Sequence, residues 1–316
     1  MTPATALLIA LPASGFPAPA AEPSPATQND LVTLADGRTF SGRITAADAG
    51  SLQIQVRPDP DQPPASLRLP LALVVHAQFN SVPAQGPFPG ENNASLGILW
   101  NRNSQFVHVP GSPAPTLGLR YADALLDSLS AGAAQAALEL LVRLEKSAPA
   151  PADRISARQK RLRAMVAVHR LEAAAREARQ ILGAAAPPSL AAEALIVMGL
   201  EAQTALAALE QEHPRWAVDD RIRPQRQSLF FAALDAFLDA ALQPEPDPLI
   251  ASRALWNAAR LYQQSGDSAA ASACLRDILW LHKDTPTADR ARPILASAEQ
   301  SRELPVLPHI SIPNAP

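Results

Sequence analysis

The chain has 316 residues, 47% of them hydrophobic but only 4% aromatic, with one cysteine and a formal net charge of −3. That length exceeds what a single core usually serves, and apolar content supplied largely by alanine suits thin, closely packed helices better than a large aromatic core. The near-neutral charge gives no global reason to expect nucleic acid, and the lone Cys274 excludes an internal disulfide and cysteine zinc sites.

The chain opens on an apolar run, "ALLIALPASGF", followed by Ala18-Pro19-Ala20, the small-x-small pattern of a cleavage site before Ala21. Residues 1–20 are therefore predicted to be a signal peptide, with the mature protein periplasmic or secreted. The leader has no Lys or Arg, which leaves an upstream start or an Ala/Pro-rich disordered lead open. No later stretch reaches 18 uninterrupted apolar residues, so no transmembrane segment is expected in the mature chain. Residues 21–30 read as a flexible lead.

Residues 31–79 alternate with period two over Val32 and Leu34, Phe40 and Ile44, then Leu52, Ile54 and Val56, the mark of strands with one covered face. Asp36-Gly37 lies between the first two runs and signals a hairpin. Further strands are expected at Ser66 to Leu69 and Leu73 to Val75. So little apolar mass predicts closure into a small barrel, because an open sheet would leave edges and a face bare. The insertion "RPDPDQPPAS", residues 57–66, is either a contact loop or a tolerated surface loop. Residues 80–117 read as a Pro/Gly-rich connector with brief extended pieces at "LGILW" and "QFVHV".

From residue 118 to 301 the period becomes helical, and Pro/Gly punctuation divides it at about 119–129, 132–146, 153–167, 170–183, 189–212, 225–243, 249–264, 268–282 and 287–300. Elements of this length with short links predict helical hairpins. A basic run from Arg154 to Arg179 reads as a solvated helix face ahead of a nucleic-acid, acidic-protein or lipid contact. The tail, residues 302–316, carries enough proline to be extended.

Two resemblances add to this reading. The pattern "VTLADGRTFSGRI…GSLQIQV…LRLPLALVVHAQF" resembles a small SH3-like or Sm-like β module of bacterial envelope proteins. Residues 251–286 resemble a tetratricopeptide repeat, with Trp256 at the early large position, Ala258 and Ala259 at the small pair, Tyr262 at the following aromatic, and Gly266-Asp267 in the turn. Together they imply a mainly α fold, a tetratricopeptide-like helical-hairpin array preceded by a small β-barrel module.

Reactive constellations are not evident. The six histidines are dispersed, no G-x-S-x-G elbow occurs, and Asp219 and Asp220 would point about 100° apart on a helix. No catalytic residue, cofactor or metal site is expected. The function these features imply is a non-catalytic protein-interaction scaffold of the bacterial periplasm or outer envelope. It would hold an envelope protein or peptide in its helical groove through Arg253, Trp256, Asn257, Arg260, Gln263 and Gln264, on the first helix of the best-formed repeat. Peptidoglycan binding by the β module is the alternative, and an exported hydrolase the remotest one; nucleic acid is not expected as a partner.

Overall fold

The structure is a computed structural model that describes residues 29–57, 63–80, 93–128 and 130–302. The expected signal peptide, half of the proline-rich loop and nearly all of the tail lie outside the described residues. Five strands come first: β1 Asp30–Leu34, β2 Thr39–Ala47, β3 Ser51–Val56, β4 Ala65–Pro70 and β5 Val74–Gln78. They form one antiparallel sheet in the order β4-β3-β2-β1-β5.

The first hairpin follows from its turn chemistry. Gly37 takes φ +85°, its N–H donates to Leu34 O at 3.0 Å, and the Asp36 carboxylate accepts from the Arg38 N–H at 3.0 Å. Strand β2 serves two partners in succession: it pairs with β1 through Gly42 and with β3 from Arg43 onward. A Cβ on Gly42 would lie 2.1 Å from Gln55 O, so only glycine lets β3 approach at this bend.

The sheet is open, which corrects the barrel expected from its size. Between β4 and β5 the residues Leu71–Leu73 make a single 3-10 turn, and the two outer strands β4 and β5 do not pair with each other. The bare edge and face are managed differently. On β5, the Ala77 N–H donates to Pro110 O at 2.8 Å, and Gly111 packs against Ala77 O and the His76 ring. On β4, Pro63, Pro64 and Pro70 flank or end the exposed edge, which discourages further pairing. The apolar face, with Val32, Leu34, Ile44, Leu52 and Ile54 buried, runs into a core shared with the following helices.

That sharing revises the connector. Asn93–Asn103 is helix α1, and a 3-10 turn follows at Ser104–Phe106 where extended pieces were expected. Leu96, Trp100, Phe106, Val107 and Val109 are buried, and the Phe106 ring sits 5.3 Å from that of Phe79 at the end of β5. The sheet is thus welded to the helical part by hydrophobic burial, and its core is not its own.

Among the described residues nine more helices follow: α2 Ala114–Asp127, α3 Ala131–Ser147, α4 Pro151–Ala167, α5 Leu171–Leu182, α6 Pro188–Glu212, α7 Ile222–Ala241, α8 Pro248–Gln264, α9 Ser268–Leu281 and α10 Pro286–Arg302. Each packs on the next, and the even-numbered helices α2, α4, α6, α8 and α10 also pack on one another in sequence. The array is therefore layered, with the even helices forming one continuous wall. Its hairpins are not equal repeats, since α5 has 12 residues and α6 has 25. The fold class read from the sequence is replaced by an open five-stranded antiparallel sheet followed by a mainly helical, helix-packed region.

Helix α6 lies between two cores. Leu190, Ala194 and Val197 belong to the first, with the sheet and α1 to α5, while Ala192, Ile196 and Leu206 belong to the second, with α7 to α10. Apolar residues on nearly every side follow from this position. Among the described residues α6 alone is long and apolar enough to cross a membrane by length and composition, and a helix packed between two cores passes the same test.

Candidate interaction groove

The wall of even helices carries a groove of about 420 Å³ that crosses them obliquely. It meets the last turns of α2 at Asp123 and Asp127, the second half of α4 at Lys160 and Arg163, and the second turn of α6 at Glu193. It then meets the first turns of α8 at Asp247 and Arg253, and the first turn of α10 at Thr287 and Arg290.

Local sequence fixes these starting turns. Asp247 caps α8 by accepting from the Leu249 N–H at 2.9 Å, with Pro248 in the first helical position, where its missing N–H costs nothing. Thr285 does the same for α10, its Oγ1 accepting from the Ala288 N–H at 3.3 Å ahead of Pro286. Each cap fixes where its helix starts, while burial of Ile250, Ala251 and Ala254 on α8 and of Ala288 and Ala291 on α10 sets the face that leaves Arg253 and Arg290 to the groove.

Charges in the groove are joined between helices. Lys160 Nζ donates to both oxygens of Asp123 at 2.7 and 2.8 Å, tying α4 to α2, and Arg163 donates to Asp127 at 2.7 Å beside it. Arg253 makes a two-pronged pair with Glu193, at 2.8 and 3.2 Å, tying α8 to α6. Glu193 is only 2% exposed. Burial opposes the Arg253 charge, yet the Glu193 carboxylate, with Asp247 and Asp127 farther off, outweighs it and holds the guanidinium above its usual pKa. Arg290 makes no ion pair among the described residues. Four acids face four bases, so the groove is dense in charge but balanced.

The residues expected at the site separate along α8. Arg253 lies in the groove, but as half of a paired, largely enclosed ion bridge and not as a free donor. Trp256 is half-buried against the second core, and Asn257 is half-buried beside it in sequence. Arg260 and Gln263 are exposed. Gln264 accepts from Gln203 Nε2 at 3.0 Å and lines a different cavity, with Glu210 and Arg226. The small pair Ala258 and Ala259 is buried, and the Tyr262 ring stands 6.3 Å from Phe230 of the preceding helix α7.

Sequence reasoning missed Asp123, Asp127, Lys160, Arg163, Glu193 and Arg290. One signal was present: Glu193 is a lone carboxylate inside "SLAAEALIVMGL", and a charge on an otherwise apolar helix calls for a buried partner. The distance in sequence from residue 123 to residue 290 hid the rest.

Nothing in the groove pairs a nucleophile with a base, and among the described residues no group of three or more His, Cys, Asp or Glu could hold a metal. Burial pushes the Cys274 thiol up and so away from the reactive thiolate. Comparison with known proteins finds no matching family model, no matching curated relative and no matching solved structure. The tetratricopeptide and SH3-like resemblances of residues 251–286 and 31–79 thus find no family support, and the open sheet and unequal hairpins stand against them.

Proposed function

We propose that this protein is a non-catalytic scaffold that holds a segment of another protein in the oblique groove of its even-numbered helices. The observation that carries the reading is the groove itself: five helices, brought from distant parts of the chain, present one surface whose charges are pre-positioned by pairs between neighbouring helices. A fixed array of donors and acceptors suits an extended chain, because its main-chain amides offer both kinds of partner and need no net charge in the groove. Export ahead of Ala21, to the periplasm or beyond, belongs to the same proposal and is checked by the mass of the mature amino terminus.

Site-specific photo-crosslinking tests the groove. A photoreactive side chain at Thr287, inside it, is expected to trap one discrete partner in cells, and Arg290→Glu is expected to abolish that adduct. The same group at the exposed Ala273 of α9 is expected to trap none. Equal adducts from both positions, or an adduct indifferent to Arg290→Glu, would rule the groove out.

A further inference from the structure

The basic run noticed in the sequence is divided by the structure between two faces of α4. At 100° per residue, Arg158 and Lys160 are 200° apart. Lys160 and Arg163 turn into the groove and are paired there, while Arg154, Arg158 and Arg161 turn the other way, toward α3 and α5. On that side two cavities of about 550 and 410 Å³ adjoin and share Arg158 and Gln180.

The chemistry there differs from that of the groove. Four arginines line the two cavities, Arg154, Arg158, Arg161 and Arg176, against two carboxylates, Glu145 and Glu177, so the surface keeps two positive charges in excess. Arg158 and Arg161 take up both carboxylates: Arg158 Nε reaches Glu177 at 3.1 Å, and Arg161 Nε lies 2.8 Å from Glu145 at an angle that makes an ion pair without a hydrogen bond. Arg154 donates to the main-chain oxygens of Ala148 and Pro149, at 3.1 and 3.3 Å, and meets no carboxylate among the described residues. Arg176 is exposed and makes no ion pair among the described residues. The larger cavity also has an apolar floor of Ile155, Ile181 and Leu190, beside the small side chains Ala184 to Ala186.

We propose that this face of α4 and α5 is a second docking surface, which takes an acidic protein segment carrying an apolar side chain. The segment's carboxylates meet Arg154 and Arg176, whose charge no side chain among the described residues neutralises, and its apolar side chain enters the cavity over Ile155 and Ile181. Charge excess sets the sign of the partner, and the apolar floor distinguishes a peptide from a simple polyanion.

The test uses the full chain and a fluorescent, end-blocked hexapeptide, Glu-Asp-Leu-Phe-Glu-Asp. Saturable binding at low salt is expected, weakened about tenfold or more by Arg176→Glu and by the cavity-filling Ala185→Trp, and weakened comparably when Leu-Phe is replaced by Ser-Ser. Arg290→Glu, in the other groove, is expected to leave it unchanged, so this surface and the proposed scaffold groove can fail separately. Absence of saturable binding, full affinity in Arg176→Glu, or full affinity of the Ser-Ser peptide would each overturn the proposal. So would tighter binding of anionic phospholipid vesicles or oligo-dT than of the peptide at equal charge concentration.

Discussion

The helices before α6 and those after it share an alanine-rich packing but differ in how many ion pairs span their interfaces. In the first half, ion pairs between helices centre on α4: Lys160 and Arg163 of α4 reach α2, Arg161 reaches Glu145 of α3, and Arg158 reaches Glu177 of α5. The second half has fewer such bridges, and small residues close its crossings as they do those of the first half, where Ala122, Ala137, Ala157 and Ala174 are buried and a Cβ on Gly118 would lie 2.7 Å from Trp100. Ala233, Ala240, Ala251, Ala254, Ala258 and Ala259 are all 1% exposed or less, and Gly199 of α6 lies so near Phe237 of α7 that a Cβ there would be 2.5 Å from the ring. Among the described residues the helices of the second half make two ion pairs to α6, Arg226 with Glu210 and Arg253 with Glu193, and local ones such as Arg292 with Asp289. The difference teaches that electrostatic faults, which are mild, concentrate around α4, whereas steric faults at the buried crossings are expensive in either half.

The sharpest way to break the comparison is at Phe237, the largest fully buried side chain of the second core. Phe237→Ala is expected to lower unfolding free energy by about 3 to 5 kcal/mol in urea melts, through lost burial and the cavity left behind. Gly199→Ala should cost about 1 to 3 kcal/mol because the ring must move. In a Phe237→Leu background most of that second cost should vanish, and a full cost there would show that the close crossing is not with this ring.

Next comes the bridge where the two halves meet. Glu193→Leu leaves Arg253 without its carboxylate and is expected to cost about 2 kcal/mol, below the range for fully enclosed pairs because the Arg253 side chain keeps 29% of its exposure. Adding Arg253→Met should recover most of the loss. If the double variant melts as low as the single, packing and not the unpaired charge explains the defect.

The sheet offers a middle case. Phe40 reads from the alternating pattern as core, but in the structure it is half-buried at the rim of the first core. Phe40→Ala is accordingly expected to cost about 1 to 2 kcal/mol, well under the value for an enclosed ring. Because the sheet shares its core with α1 and α2, the loss should appear in one cooperative transition of the whole first half. A separate early transition of the strands would contradict the shared core.

These cases show which parts of the molecule were legible. The Asp36-Gly37 hairpin and the turn at Gly266-Asp267 were readable because their chemistry is local. Gly266 takes φ +85°, its N–H reaches Gln263 O, that of Asp267 reaches Tyr262 O, and the Asp267 carboxylate then caps α9. The helical segments were readable from period and punctuation. Helix α1 was not, since Pro/Gly-rich sequence precedes it and its anchors, Leu96 and Trp100, are too few to show a period. Barrel closure failed for a different reason. The β5 edge is met by Pro110 and the apolar face by the helices that begin at residue 93, neither of which belongs to residues 31–79. The groove was the least legible feature, because it depends on which helices lie side by side and on which of their faces are buried.

A smaller effect, of opposite sign, is expected at the α4–α5 turn. His169 is exposed at φ 60°, in the left-handed position that ends α4, with its own N–H on Val166 O and that of Arg170 on Met165 O. A side chain there costs about 1 kcal/mol relative to glycine. His169→Gly is therefore expected to raise unfolding free energy by about that much, less what the unfolded chain gains in freedom. A lower melting temperature would place the imidazole in a contact that the geometry does not show.

The weakest expected effect lies in the exposed bridges of the first half, and it bears most directly on binding. Arg163 and Asp127 meet at 2.7 Å, but 34% and 68% of their side chains remain exposed. A double-mutant cycle with alanine at both positions should give a coupling of about 0.2 to 1 kcal/mol, falling toward zero in 1 M salt. A coupling that small means that either charge can leave its partner for a ligand group at little cost, while the Glu193–Arg253 bridge beside it stays closed and keeps α6 and α8 in place. If the measured coupling instead exceeds about 2 kcal/mol and resists salt, the groove charges are structural locks, and a bound chain would have to use main-chain hydrogen bonds and Arg290 alone.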